Sequence, residues 1–165
     1  EVKPVLIPQA RRDELIGNLL LYFTGFSRFA SEIAKKQIEN IGNRKKHLSA
    51  MAGMVGEALA ILQTDNRPIR EIGELLHETW MLKRELADSV TTPEVDDFYQ
   101  AARDAGAIGG KLLGAGGGGF LLLFVESDKQ AAVQEKFKDL IQVSFGIDEA
   151  GSKIVVYEPE GLENR

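Results

Sequence analysis

Cysteine is absent from the 165 residues of this chain. That absence excludes a disulfide framework, a thiolate metal site and a cysteine nucleophile, and it agrees with a reducing compartment. Histidine is scarce: His47 and His77 are the two present. Both fall in helical, polar surroundings without a ligand-type partner four residues on, so the pattern offers no metal site. Apolar runs of about 20 residues, the length of a membrane span, are missing, as is a basic segment followed by an apolar one at the N-terminus. Positive charge is not in excess either. The net charge is −5, which makes the chain a poor non-specific binder of nucleic acid. There is no internal repeat and no linker long enough to separate a second domain. The chain opens EVKPVLIPQ, without methionine, which points either to a piece of a longer polypeptide or to a processed end.

What is present is ordinary globular composition. Apolar residues make up 44% and charged residues 27%, which suits one domain over residues 1–165 with one core. Prolines at 4 and 8 predict an extended start. The short apolar run LIGNLLLYF, residues 15–23, predicts a buried strand. TGFSR breaks it, and Ser27 is placed to cap a helix with Ala30, Ile33, Ala34, Ile38 and Ile41 on one face. GNR then separates a second helix, in which Leu48, Met51, Ala52, Val55, Leu59 and Leu62 recur at helical spacing. Asn66 and Pro68 open a third through Ile69, Ile72, Leu75, Leu76 and Leu82, with Trp80 and Met81 as packing residues. A fourth has Thr92 as N-cap, Pro93 as first residue and Gly106 as stop. AIGGKLL and FLLLFVE are the arms of a β-hairpin. A fifth helix follows, with Ser127 and Gln130 spaced for a capping box, and GSKIVVYEP reads as a last strand. This order predicts an α+β fold, an antiparallel sheet with helices packed on one side.

GAGGGG joins the hairpin arms, and with the end of the first arm it puts seven glycines in residues 109–119. Glycine loses more backbone freedom on folding than any other residue, so this density needs a reason. A dinucleotide fingerprint requires a helix after the glycines, and here LLLFV follows, which reads as a strand. A phosphate-binding P-loop requires lysine after the last glycine, and Lys111 precedes the loop. A tight turn that lets two backbones pack closely remains open, beside a role at a binding cleft.

The whole pattern resembles the C-terminal domain of the GHMP kinases, the superfamily of galactokinase, homoserine kinase, mevalonate kinase and phosphomevalonate kinase. KLLGAGGGGFLLLF matches the family's third signature at its glycines, and TTPEVDDFYQAARDAGAIGG is similar to the helix that leads into it. The strand and helix LLLYFTGFSRFASEIAKKQ further resemble those of D-glycero-D-manno-heptose 7-phosphate kinases. The resemblance implies a ferredoxin-like α+β domain whose glycine loop lines the active-site cleft. Gly114, Ala115, Gly116, Gly117, Gly118 and Gly119 would shape that cleft, and their bare N–H groups can form an anion-binding concavity.

The same resemblance implies a cytoplasmic enzyme that uses ATP and Mg²⁺ on a sugar phosphate, compatible with a homodimer. It also exposes a departure. The family's ATP-binding segment, of the P-x-x-x-G-L-G-S-S-A type, is nowhere in this sequence. ATP, Mg²⁺ and the catalytic base are therefore expected on an N-terminal kinase domain outside this chain, which alone would be inactive. Within the chain, Thr24, Arg28 and Lys111 are candidate substrate contacts. Arg28 can clamp a phosphate bidentately, though a surface arginine fits the same position. Lys111 can reach an anion or lie on a solvent face, and Thr24 can donate its hydroxyl or simply end the strand. A stand-alone α+β ligand-sensing or interaction module without catalysis is the rival reading, favoured by the missing ATP segment and opposed by the intact glycine loop.

Overall fold

Short apolar strands, two of them joined locally by a glycine turn and the others paired across long stretches of chain, build the centre of the domain. In a computed structural model that describes residues 5–26 and 30–147, the order is α1 (Gln9–Gly17), β1 (Leu19–Phe23), α2 (Ala30–Gln63), α3 (Arg70–Arg84), α4 (Pro93–Asp104), β2 (Gly109–Leu112), β3 (Phe120–Phe124), α5 (Ser127–Lys136) and β4 (Ile141–Gln142). The strands form one antiparallel sheet in the order β2-β3-β1-β4. Leu20 stands opposite Leu123, and Leu121 pairs with Tyr22 on one side and Leu112 on the other. Alternate residues share a face, so these five side chains form one apolar surface. It is covered by Val95, Tyr99 and Ala102 of α4 and Val133 of α5. The Tyr22 and Phe137 rings meet with centroids 5.1 Å apart. Each fully buried leucine there stabilises the fold by about 1.5–3 kcal/mol. The architecture is α+β, as the element pattern predicts.

A second cluster sits at the β2 end, where Ile61, Ile69, Ile72 and Ile108 surround Phe124. It exists because α3 comes very close to β2. A Cβ on Gly109 would lie 1.9 Å from the Gly73 carbonyl oxygen, and one on Gly73 would lie 2.7 Å from the Phe124 ring. Only a residue without a side chain permits that approach. Further along α3, Trp80 is fully buried and His77 Nδ1 lies 2.6 Å from the Tyr99 hydroxyl. Burial first of all holds the His77 pKa down and pushes that of Tyr99 up to about 12. The tyrosine therefore donates to a neutral imidazole, which fixes α3 against α4.

Several local expectations need correction. Residues 15–23 are not one strand: Leu15, Ile16 and Gly17 end α1, and β1 starts at Leu19. Pro8 occupies the N-cap of α1, and the Asn18 side chain closes its other end on the Glu14 carbonyl. Arg11 ties this helix to the Ile61 and Arg67 carbonyls. The break expected at GNR is present as a kink: two helical stretches of α2 meet at Arg44, whose φ of −114° and ψ of 15° are not helical. The capping box at Ser127 and Gln130 is not formed. Glu126 is the N-cap without a side-chain bond, and Gln130 donates to the Gly17 and Val125 carbonyls. Thr92 caps α4 as expected, accepting from the Val95 N–H, with Pro93 in the first turn. Gly106 stops that helix at a φ of 111°. Ser27, Arg28 and the predicted strand in GSKIVVYEP lie outside the described residues.

Candidate functional site

The hairpin is closed at its base by the Leu113 N–H donating to the Phe120 carbonyl, 2.8 Å. Everything between is the glycine loop, and four other parts of the chain hold it. From the end of β1, the Thr24 N–H and hydroxyl donate to the Gly119 carbonyl at 2.8 and 2.9 Å. The Gly119 N–H in return meets the Phe26 carbonyl at 2.8 Å. From the segment after α3, the Val90 carbonyl accepts from the Gly117 N–H at 2.9 Å. From α2, Gln37 Nε2 donates to the Ala115 carbonyl at 2.7 Å. From α3, Lys83 Nζ donates to the Gly114 carbonyl at 2.6 Å.

This clamp explains the residue type. Gly114, Gly116, Gly117 and Gly119 have φ of 74°, 123°, 75° and 107°, angles that a side chain disfavours. A Cβ on Gly116 would stand 2.5 Å from the Val90 carbonyl oxygen, and one on Gly118 would stand 2.8 Å from that of Phe26. The loop thus lies pressed between two stretches of backbone. Its N–H groups at Gly114, Ala115, Gly116 and Gly118 have no acceptor among the described residues. Successive unpaired N–H groups in a loop of this shape are suited to an anion.

The candidate side chains fall into different places. Thr24 is 2% exposed, and its hydroxyl is engaged by Gly119, so it acts on the loop. Lys111 is half-buried on β2 and lines an apolar cavity of about 250 Å³ with Met51, Met54, Leu75, Leu76 and Thr79. It makes no ion pair among the described residues. Arg28 lies outside them. Among the described residues, no group of three His, Asp or Glu side chains could hold a metal ion, and no helix is long and apolar enough to cross a membrane.

Gln37, Lys83 and Val90 are the loop's holders that sequence reasoning missed. Lys83 had a signal: it continues the row Ile72, Leu76, Trp80 at helical spacing, buried at its first and last members, where an apolar residue would be ordinary. It is 9% exposed. Its pKa is lowered to about 8, first by burial and then by the charge of Lys111. Gln37 and the Val90 carbonyl gave none, because a surface glutamine and a loop carbonyl look alike in any sequence.

This loop geometry sits within a family pattern. Residues 58–141 match the model of the GHMP kinases C-terminal domain, more than half of the chain. The chain belongs to the GHMP kinase C-terminal family. Among curated GHMP relatives, it is 31% identical over 130 residues to D-glycero-alpha-D-manno-heptose 7-phosphate kinase of Campylobacter jejuni, covering 78% of this chain and 38% of that protein. It is 34% identical over 117 residues to L-fucokinase/L-fucose-1-P guanylyltransferase of Bacteroides fragilis, covering 70% of this chain and 12% of that one. The chain therefore spans well under half the length of these relatives. The fold matches the crystal structure of Methanococcus jannaschii mevalonate kinase with a TM-score of 0.67 at 21% identity, over 87% of this chain and 42% of that one.

Proposed function

We propose that this GHMP domain is the substrate side of an ATP-dependent sugar kinase, and that the intact protein phosphorylates a heptose 7-phosphate. A sugar hydroxyl oxygen would attack the γ-phosphorus of ATP, the bond to the β-phosphate oxygen would break, and ADP would leave. The catalytic base, Mg²⁺ and most ATP contacts are assigned to an N-terminal kinase domain preceding these residues. The chain's own part is positioning and charge stabilisation, the main work in phosphoryl transfer. The observation that carries this reading is the clamped loop, with N–H groups that have no acceptor among the described residues. Gly114, Ala115, Gly116, Gly117, Gly118 and Gly119 form the cleft wall, Thr24 holds it, and Lys111 and Arg28 supply cations for the acceptor. The heptose choice is supported by the Campylobacter relative and by the TGFSR segment.

An ADP-release assay across a panel of sugars and sugar phosphates tests the assignment. The 165-residue chain alone should show no turnover above background, because the P-x-x-x-G-L-G-S-S-A-type segment is not in it. The same residues preceded by their N-terminal domain should turn over a sugar phosphate. Activity that copurifies with the short chain would overturn the division of labour. Ligand binding without turnover by the longer protein would favour the sensing module instead.

Arg28 is the residue that reads the acceptor's phosphate in this proposal. Arg28→Ala in the intact enzyme should lose a charge-assisted hydrogen bond, roughly 1.5–3 kcal/mol, or about ten- to a hundred-fold in kcat/KM. Arg28→Lys should recover part of it, since an ammonium lacks the planar fork. Equal losses with phosphorylated and unphosphorylated sugars would remove Arg28 from the phosphate site.

A further inference from the structure

We propose that Lys83 is a positioning residue for the glycine loop, its ammonium fixing the Gly114 carbonyl and through it the conformation of residues 114–119. An ammonium has three donors and no acceptor. One donor lies 2.6 Å from the Gly114 carbonyl, and the Leu112 carbonyl is at 3.5 Å. No carboxylate pairs with Lys83 among the described residues, and the charged group that acts on it from β2 is another cation, Lys111. Gln37, which holds the next carbonyl of the loop from α2, is neutral. A buried charge without a counter-ion is costly. Here carbonyl dipoles at the start of the loop are what compensate it, so the charge and the loop conformation depend on each other.

Position on the fold strengthens the argument. Lys83 sits near the C-terminal end of α3, the helix that Gly73 and Gly109 press against β2. The tip of its side chain reaches the first glycine after β2. Gly114 itself has open space around it, with nothing within 4 Å of an added Cβ. The Lys83 bond therefore supplies at Gly114 the restraint that packing supplies at Gly116 and Gly118. Loss of the Lys83 proton removes the charge from this bond, and the depressed pKa of about 8 puts that loss in reach of mild alkaline conditions.

Carbon-detected NMR of the labelled 165-residue chain between pH 6.5 and 10 tests this, since exposed amides exchange too fast above neutral pH. The Gly114 carbonyl carbon should shift with the same midpoint as the Lys83 Cε. In Lys83→Met that titration should vanish while the Leu121 and Leu123 carbonyls keep their wild-type positions. Lys83→Arg should hold the carbonyl in place with no titration. A Gly114 carbonyl that stays flat while wild-type Lys83 titrates overturns the proposal, and this arm decides even if Lys83→Met does not fold. The consequence for phosphoryl transfer rests on the kinase reading. In the intact enzyme, Lys83→Met should lower kcat about tenfold with KM within about twofold. An unchanged kcat across that pH range overturns the positioning role. A wild-type protein that turns over no substrate counts against the kinase reading and leaves the carbonyl titration as the test.

Discussion

Gly109→Ala should destabilise the domain by about 3 kcal/mol, at the upper end of what one inserted methyl costs in a packed interior. The added Cβ would lie 1.9 Å from the Gly73 carbonyl oxygen and 2.9 Å from the His77 backbone nitrogen. Both neighbours are helix backbone, so neither can swing aside as a flexible side chain would. α3 must move off β2, and Phe124, Ile72 and Ile108 lose their packing with it. A domain of this size is stable by roughly 5–15 kcal/mol in total, so the loss should be plain in a urea melt. Gly53→Ala is the control. Gly53 lies on the exposed side of α2 with nothing near an added Cβ, and alanine there should gain about 0.5–1 kcal/mol from helix propensity. Equal midpoints for the two variants would mean that α3 and β2 are not in contact as described.

The second large effect is expected at Gly116. Its φ of 123° is closed to a β-branched side chain, and a Cβ would stand 2.5 Å from the Val90 carbonyl oxygen. Gly116→Val should therefore cost roughly 3 kcal/mol, from backbone strain together with the clash. If the intact protein is the proposed kinase, the variant should also lower kcat/KM about a hundred-fold, the scale of loss that follows a displacement of about 1 Å at a reacting centre. Gly114→Ala separates the two causes. Gly114 has a φ of 74° but open space around it, so alanine should show only the left-handed penalty of about 1–2 kcal/mol. Melting and kinetics belong together here. A folded Gly116→Val protein with wild-type kcat/KM would reduce the glycine loop to a turn and remove it from the proposed active site.

Both variants concern contacts that are hard to see in a sequence. The hairpin itself was legible: two apolar arms around consecutive glycines pair because their side chains alternate and glycine alone takes the turn. The cap at Thr92 and the stop at Gly106 were legible for similarly local reasons. The boundary at residues 15–23 was not. LIGNLLLYF has no period that divides it, and its first residues join α1 because Arg11 and Leu15 find partners on α2 and the second core cluster. The break at GNR was legible: Arg44 leaves the helical angles there and divides α2 into two stretches.

The candidate site divides along the same line. By itself the sequence determined that the loop must be glycine, that it joins two strands of an α+β domain, and that its signature resembles a kinase family. These follow from local backbone geometry and from residue spacing. Tertiary structure alone decided what holds the loop. Gln37 and Lys83 reach it from positions 78 and 31 residues away in the chain, and Val90 and Phe26 press on it through backbone carbonyls, which every residue carries. Thr24 was legible as a polar residue at a strand end, but only the fold directs its hydroxyl to Gly119. A carbonyl has no identity in a sequence, and a lysine shows its charge but not its burial. The packing of α3 on β2 supplies both.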